Sequence, residues 1–357
     1  MKKKVLFIAG SMNMNTMAHA VARHLEASFD CYFTPYYCDG LLRKLAQMGL
    51  TEFSIIGEKH RERALQYFEE QNVQIDLDGR QNDYDLVVTT SDLIVQKNIR
   101  NSRTVLIQEG MTDPENLMYY LVRLLGLPRY LASTSTTGLS DAYDAFCVAS
   151  YGYRDLFVAK GVRPEKIRVT GIPNFDDAKK YLKNNFPFRN YVLVATSDSR
   201  ETLKIDSRKR FLRWALNIAD GRPLIFKLHP NEKVERSSEA IRKYAPDAII
   251  FDSGNTNEMV ANCDVLITQY SSVSYVGLAL GKEVHSYFDV DMLRKLTPIQ
   301  NSGKSAQNIA TLCREMIEGE MPDRLQRKNY VKPLAMMTRQ NLNRKHQSFK
   351  YKQWKIF

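Results

Sequence analysis

The sequence predicts an α/β protein made of two doubly wound, Rossmann-like halves in tandem. Three observations support this. The chain has 357 residues, enough for two domains that each bury a core. Short apolar runs alternate with longer segments of helical period, the pattern of parallel βαβ units. The alternation then restarts after Asn185-Phe186-Pro187-Phe188-Arg189.

In the first half, strands are expected at Lys4 to Ala9, Cys31 to Pro35, Phe53 to Ile56, Leu86 to Thr89 and Thr104 to Gln108. Two more follow at Ala145 to Val148 and Ile167 to Thr170. Helices are expected between them, such as Thr16 to Glu26, His60 to Gln71 and Asn116 to Leu125. The second half should carry strands at Tyr191 to Thr196, Leu224 to Leu228, Ala248 to Phe251, Val265 to Thr268 and Glu283 to Tyr287. Its helices are expected at Arg208 to Ala219, Ser237 to Tyr244, Asn257 to Ala261 and Val273 to Leu280. The domains so drawn are 1 to 180, 181 to 322 and a tail from 323 to 357.

Composition narrows the class. Apolar residues make up 44% and charged residues 25%, ordinary for a globular chain. Five scattered cysteines with no C-x-x-C pair read as reduced thiols in a cytoplasmic protein, with neither a disulfide framework nor a zinc scaffold. The apolar run after the three N-terminal lysines is too short for a signal segment, and no stretch approaches the length that spans a bilayer. The net charge is +11, and residues 324 to 357 hold ten Lys or Arg and no Asp or Glu. Such a tail is expected to pack a helix back across the domains and to meet anionic lipid at the inner face of a membrane, or to be a solvated helix. Its interleaved aromatics also suit nucleic acid, but no nucleic-acid motif accompanies them, so no such partner is expected.

In an open α/β sheet, ligands gather beyond the carboxyl ends of the strands, so residues just after a strand are the candidates. Lys227-Leu228-His229-Pro230 runs a buried strand into a proline-stopped turn. It leaves an imidazole able to donate to a phosphate, with Glu232 placed to accept from ribose hydroxyls; a turn histidine with an exposed partner is the alternative. Thr268-Gln269-Tyr270-Ser271-Ser272 is a strand end, a hydroxyl-rich turn and a helix start, where free N–H groups favour an anion; a serine that caps without a ligand is the alternative. Glu109, in Gln108-Glu109-Gly110, ends a first-half strand and is either a general base or a capping or ion-paired carboxylate. Asp198, after the first strand of the second half, is either a nucleophile or a helix cap. Gly10-Ser11-Met12-Asn13 is neither a dinucleotide fingerprint nor a Walker loop, so no dinucleotide cofactor is expected. Asp289-Val290-Asp291 spells D-x-D without companion ligands and reads as a loop, so no metal site is expected.

Together these motifs resemble GT-B glycosyltransferases, above all the bacterial groups that use CMP-activated Kdo or sialic acid, and the CDP-glycerol glycerophosphotransferases. The shared features are the His-Pro and Ser-Ser motifs, matched at Lys227 to Pro230 and Thr268 to Ser272. Val169 to Asp176 is similar to the segment that closes the first domain in GT-B proteins and in hydrolysing UDP-sugar 2-epimerases. The resemblance implies an inter-domain cleft and metal-independent transfer of a sugar, favoured as Kdo or a related ulosonic acid, from a nucleotide-linked donor to a bacterial surface glycan or glycolipid. In that scheme Lys227, His229, Ser271 and Ser272 hold the phosphate, with Glu109 as base or Asp198 as nucleophile. Gln108 stands where sialic acid and Kdo transferases carry an acid, and the first-domain His-Gly of glycerophosphate transferases is missing. A UDP-sugar 2-epimerase is the second implied activity, and UDP-sugar or CDP-glycerol are the other implied donors.

Overall fold

In a computed structural model of the chain, residues 2–49, 55–197 and 207–319 are described. The strands are β1 (Lys4–Ala9), β2 (Asp30–Pro35), β3 (Gln74–Ile75), β4 (Leu86–Thr89), β5 (Thr104–Ile107), β6 (Ala145–Val148), β7 (Ile167–Val169), β8 (Val192–Ala195), β9 (Leu224–Lys227), β10 (Ile249–Phe251), β11 (Val265–Thr268) and β12 (Glu283–His285). The helices are α1 (Met12–Ala22), α2 (Gly40–Gln47), α3 (Glu58–Glu70), α4 (Leu117–Leu125), α5 (Tyr151–Lys160), α6 (Arg208–Ala219), α7 (Val234–Arg242), α8 (Thr256–Asn262), α9 (Val273–Ala279), α10 (Val290–Leu296) and α11 (Ser305–Glu318).

The strands form two wholly parallel sheets, of order β3-β2-β1-β4-β5-β6-β7 and β10-β9-β8-β11-β12. Parallel strands buried on both faces need continuous apolar runs, and Leu-Val-Val-Thr, Thr-Val-Leu-Ile, Val-Leu-Val-Ala and Val-Leu-Ile-Thr supply them with every residue buried. The period of two is visible in β8: Val192 and Val194 join one core layer with Phe211 and Phe226, while Leu193 and Ala195 join the other with Val260 and Leu266. Strand order reverses between β1 and β4 and again between β8 and β11, and such switch points open crevices at the carboxyl ends of their strands.

Several expectations are corrected. The third strand of the first sheet is Gln74–Ile75; of the expected Phe53 to Ile56 strand, residues 53 and 54 lie outside the described residues, and Ile55 and Ile56 form a turn just before Gly57. Helix α1 begins four residues early because Ser11 caps it, its hydroxyl accepting from the Met14 N–H. Asp289 is not in a loop: its carboxylate caps α10, accepting from the N–H groups of Asp291 and Met292. Helices α10 and α11 extend the second half beyond its expected helices.

The halves are joined through α5, α10 and the 299–305 segment. The Ser150 hydroxyl donates to the Leu296 carbonyl at 3.0 Å, Ile299 N–H donates to Ala149 O, and the buried hydroxyls of Tyr153 and Tyr275 share a 2.7 Å bond. Gly152 faces the Lys295 carbonyl so closely that a Cβ there would collide with it. The return toward the first half already begins with α11, inside the range assigned to the second domain. Lys3 and Arg103 donate to the carbonyls of Ile317 and Met316 at 2.8 and 2.6 Å, and Arg314 donates to His24 O. The tail from 323 lies outside the described residues. Among those residues, no helix is long and apolar enough to cross a membrane.

Candidate functional site

A cavity of about 570 Å³ opens where the carboxyl ends of β8, β9 and β11 face the amino end of α1 and the 174–181 segment. Five of the nucleotide-binding candidates line it: Lys227, His229, Pro230, Ser271 and Ser272. Two do not. Thr268 is fully buried at the end of β11, and Glu232 lies beneath the His-Pro turn.

The structure reverses the expected role of Glu232. One carboxylate oxygen accepts from the His229 N–H at 3.0 Å and from the Thr196 hydroxyl; the other pairs with Arg208 and accepts from Ser237 Oγ at 3.3 Å. With its side chain wholly buried, it does not reach a ribose. It braces the turn that aims His229 at the cavity. The His229 ring is oriented from its other side, because Nδ1 accepts from the Asn231 N–H at 3.2 Å. A neutral ring so held carries its proton on Nε2, the form that donates to a phosphate oxygen.

Lys227 is also more committed than expected. Its ammonium donates to the carbonyls of Leu228 and Asp252 at 2.8 and 3.1 Å, and burial lowers its pKa. It ties the end of β9 to the loop that leads to Gly254-Asn255-Thr256, another part of the cavity wall. On the β11 side, Ser271 Oγ accepts from the Val273 N–H at 3.3 Å, whereas Ser272 makes no side-chain cap bond. Across the switch point, the Ser197 hydroxyl donates to Gln269 Oε1 at 2.9 Å and pins the two strand ends together.

Opposite this wall stand Asn13 and Asn174, hydrogen-bonded to each other. Asn13 Nδ2 donates to the Glu109 carbonyl, and Ser11 Oγ donates to the Glu109 carboxylate, both at 3.0 Å. Glu109 itself lines a neighbouring cavity of about 560 Å³ within the first half, together with Met14, Tyr36, Ile55, Met111 and Tyr130. Burial raises its pKa, opposed by the Ser11 bond. Gln108 accepts from the Ala149 N–H through Oε1 and donates to Gly110 O through Nε2. An ionised carboxylate has no proton to donate and could not make both bonds. Asp198 lies outside the described residues.

No protein-family model matches this chain, and no curated protein does. Solved structures do. A Listeria monocytogenes protein proposed to be a UDP-N-acetylglucosamine 2-epimerase superposes with a TM-score of 0.58 at 14% identity, over 90% of this chain and 99% of the other. The UDP-GlcNAc 2-epimerase from Neisseria meningitidis bound to UDP-GlcNAc gives 0.55 at 12%, over 87% and 100%. The wall teichoic acid polymerase TagF gives 0.50 at 13%, over 88% and 89%. The fold is GT-B. At these identities the likeness establishes the fold alone.

Sequence reasoning passed over Ser11, Asn13 and Asn174, although the first two directly follow β1 and the third lies in the Val169 to Asp176 segment. Their signal was the position beyond a strand, which Gly10-Ser11-Met12-Asn13 already had. Arg208 carried none, because nothing near it in sequence marks the buried Glu232 it pairs with. Among the described residues, no three His, Cys, Asp or Glu side chains gather as a metal site would require.

Proposed function

We propose that this chain is a transferase that takes a glycosyl group, favoured as Kdo or a related ulosonic acid, from a cytidine-nucleotide donor to a glycan or glycolipid hydroxyl. The observation that carries the reading is the division of charge across the cleft. The described residues lining the 570 Å³ cavity include Lys180, Lys227, His229, Ser271 and Ser272 and no carboxylate, while Glu109 stands on the first-half side behind Asn13. Such a wall suits an anionic leaving group. Preorganised donors aimed at the charge that develops on a departing phosphate are the main means of lowering this barrier.

In the reaction, His229 Nε2–H and the Ser272 hydroxyl donate to the nucleotide phosphate as the bond between the anomeric carbon and the phosphate oxygen breaks. The acceptor hydroxyl gives its proton to Glu109 and its oxygen forms the new bond, releasing the nucleotide. Burial makes the Glu109 carboxylate a stronger base than an exposed one, and Ser11 orients it. If Asp198 instead attacks the anomeric carbon, the sugar rests on the enzyme between two displacements, and intact mass spectrometry with donor alone reads the adduct.

A thermal-shift series with CMP, CDP, UDP and GDP tests the donor, since a ligand that binds only the folded chain raises its melting temperature. Cytidine nucleotides are expected to raise it most, and His229→Ala to abolish the response. A response to UDP alone would overturn the donor. The second reading is a UDP-sugar 2-epimerase, favoured by the two neighbours of highest similarity named above. Conversion of UDP-N-acetylglucosamine in the absence of any acceptor would establish it.

A further inference from the structure

The first half carries an apolar surface that its own core does not use. Helix α2 buries none of its residues, and Leu41 is 73% exposed. Helix α4 reads Leu-Met-Tyr-Tyr-Leu-Val-Arg-Leu-Leu and buries only Tyr119 and Val122, leaving Leu117, Leu124 and Leu125 at 75, 70 and 62% exposure. An apolar helix with so narrow a buried stripe wants a second apolar environment. Helix α2 and the segment that follows α4 share a groove. A groove of about 400 Å³ is lined by Leu41, Leu42 and Leu45 of α2 and by Pro128, Arg129 and Tyr130, which follow α4 by three residues. Leu42, Leu93, Ile94 and Tyr130 line both this groove and the cavity that holds Glu109.

Charge selects the partner. Residues 40–47 and 117–131 include no Asp or Glu; Arg43 is paired with Asp78 at 2.9 Å, while Lys44 and, at the groove, Lys97 and Arg100 stand exposed. The one described carboxylate lining it, Asp39, is paired with Arg80 and accepts from the Lys97 N–H. A second copy of the chain meeting this face about a two-fold axis would bring cation to cation. An anionic headgroup layer is attracted instead, by about 1 kcal/mol for each basic residue near the surface, while leucines on an interfacial helix enter the acyl boundary.

We propose that α2, α4 and the 127–131 segment form the surface by which the chain docks on a bilayer containing anionic lipid, so that the cavity beside Glu109 opens at the membrane. Residues 40–47, 97–100 and 117–131 carry this proposal, and residues 324–357 do not enter it. Its functional consequence, an acceptor carried by a lipid, rests on the transfer reading above; the docking does not.

The test is flotation of the full chain with phosphatidylcholine vesicles and with mixed phosphatidylcholine and phosphatidylglycerol vesicles. The wild type should float with the mixed vesicles. Leu117→Ser/Leu124→Ser/Leu125→Ser should lose partitioning about tenfold or more, with melting temperature and nucleotide response unchanged because all three side chains are exposed. Lys97→Glu/Arg100→Glu should lose the dependence on anionic lipid, and it decides the matter if the leucine variant does not fold. Absence of wild-type flotation, or equal flotation by the variants, overturns the proposal. A wild-type dimer in sedimentation equilibrium that the leucine variant dissociates would give the face to a second copy instead. A protein that floats yet responds to no nucleotide would leave the docking intact and remove the transfer reading.

Discussion

Replacing Glu232 by alanine should destabilise the protein far more than its turn position suggests. The Arg208 side chain is 6% exposed and faces a Glu232 side chain with no exposure, so the variant strands a guanidinium in the interior. Breaking one partner of a buried pair typically costs about 3–5 kcal/mol, because the remaining charge has lost its compensation. That range already contains the acceptor lost by the Ser237 hydroxyl; the His229 N–H keeps the Thr196 hydroxyl at 3.1 Å. A loss of about 3–5 kcal/mol is therefore expected in urea unfolding followed by circular dichroism. The double variant Arg208→Met/Glu232→Met removes both charges, and it should be about 2 kcal/mol more stable than Glu232→Ala even though two residues have changed. Nucleotide affinity should fall in both, since both release the His-Pro turn. Destabilisation below about 1 kcal/mol in the single variant, or a double variant worse than the single, would refute the buried-pair account.

Other outcomes follow from the same geometry. Because burial raises the pKa of Glu109, the acid limb of kcat/KM should lie above the usual glutamate value of about 4.3. Ser11→Ala, which removes a bond favouring the charged form, should move it to still higher pH. A downward shift in that variant would remove Glu109 as the base. Gly152→Ala puts a methyl group against the Lys295 carbonyl, so α5 and α10 must separate; a loss of about 1–3 kcal/mol is expected, and a melting temperature equal to wild type would contradict the close contact. All five cysteines are buried, and burial pushes Cys31, Cys147 and Cys263 up to about 12. A thiol reagent should find no fast-reacting group in the native protein and all five after unfolding; one rapid native reaction would disprove this packing.

Much of the site was legible because it follows from position in a parallel sheet. His229 and Ser271-Ser272 lie just beyond apolar runs, and the backbone there reaches the crevice whatever its distant neighbours are. Glu109, chosen by the same rule, lines the neighbouring cavity of the first half. What the rule does not tell is whether a side chain beyond a strand turns out into the crevice or back into the protein. Glu232 and Lys227 both turn back, one to Arg208 and the other to two carbonyls. Gln108 looked like a defective motif and proves to be a fitted bridge between strand ends.

The local pattern of the sequence by itself determined two parallel sheets, their strands along the chain except the short Gln74–Ile75, and the turns that bear the candidate groups. Apolar periodicity and strand-ending residues are short-range properties, written within a few positions of where they act. Only the tertiary structure decided that Asn13 meets Asn174, that Glu232 meets Arg208, and that α4 is left with an unburied apolar face. Those outcomes depend on residues far apart in the chain competing for the same space. A leucine in α4 reads the same whether or not another layer covers it.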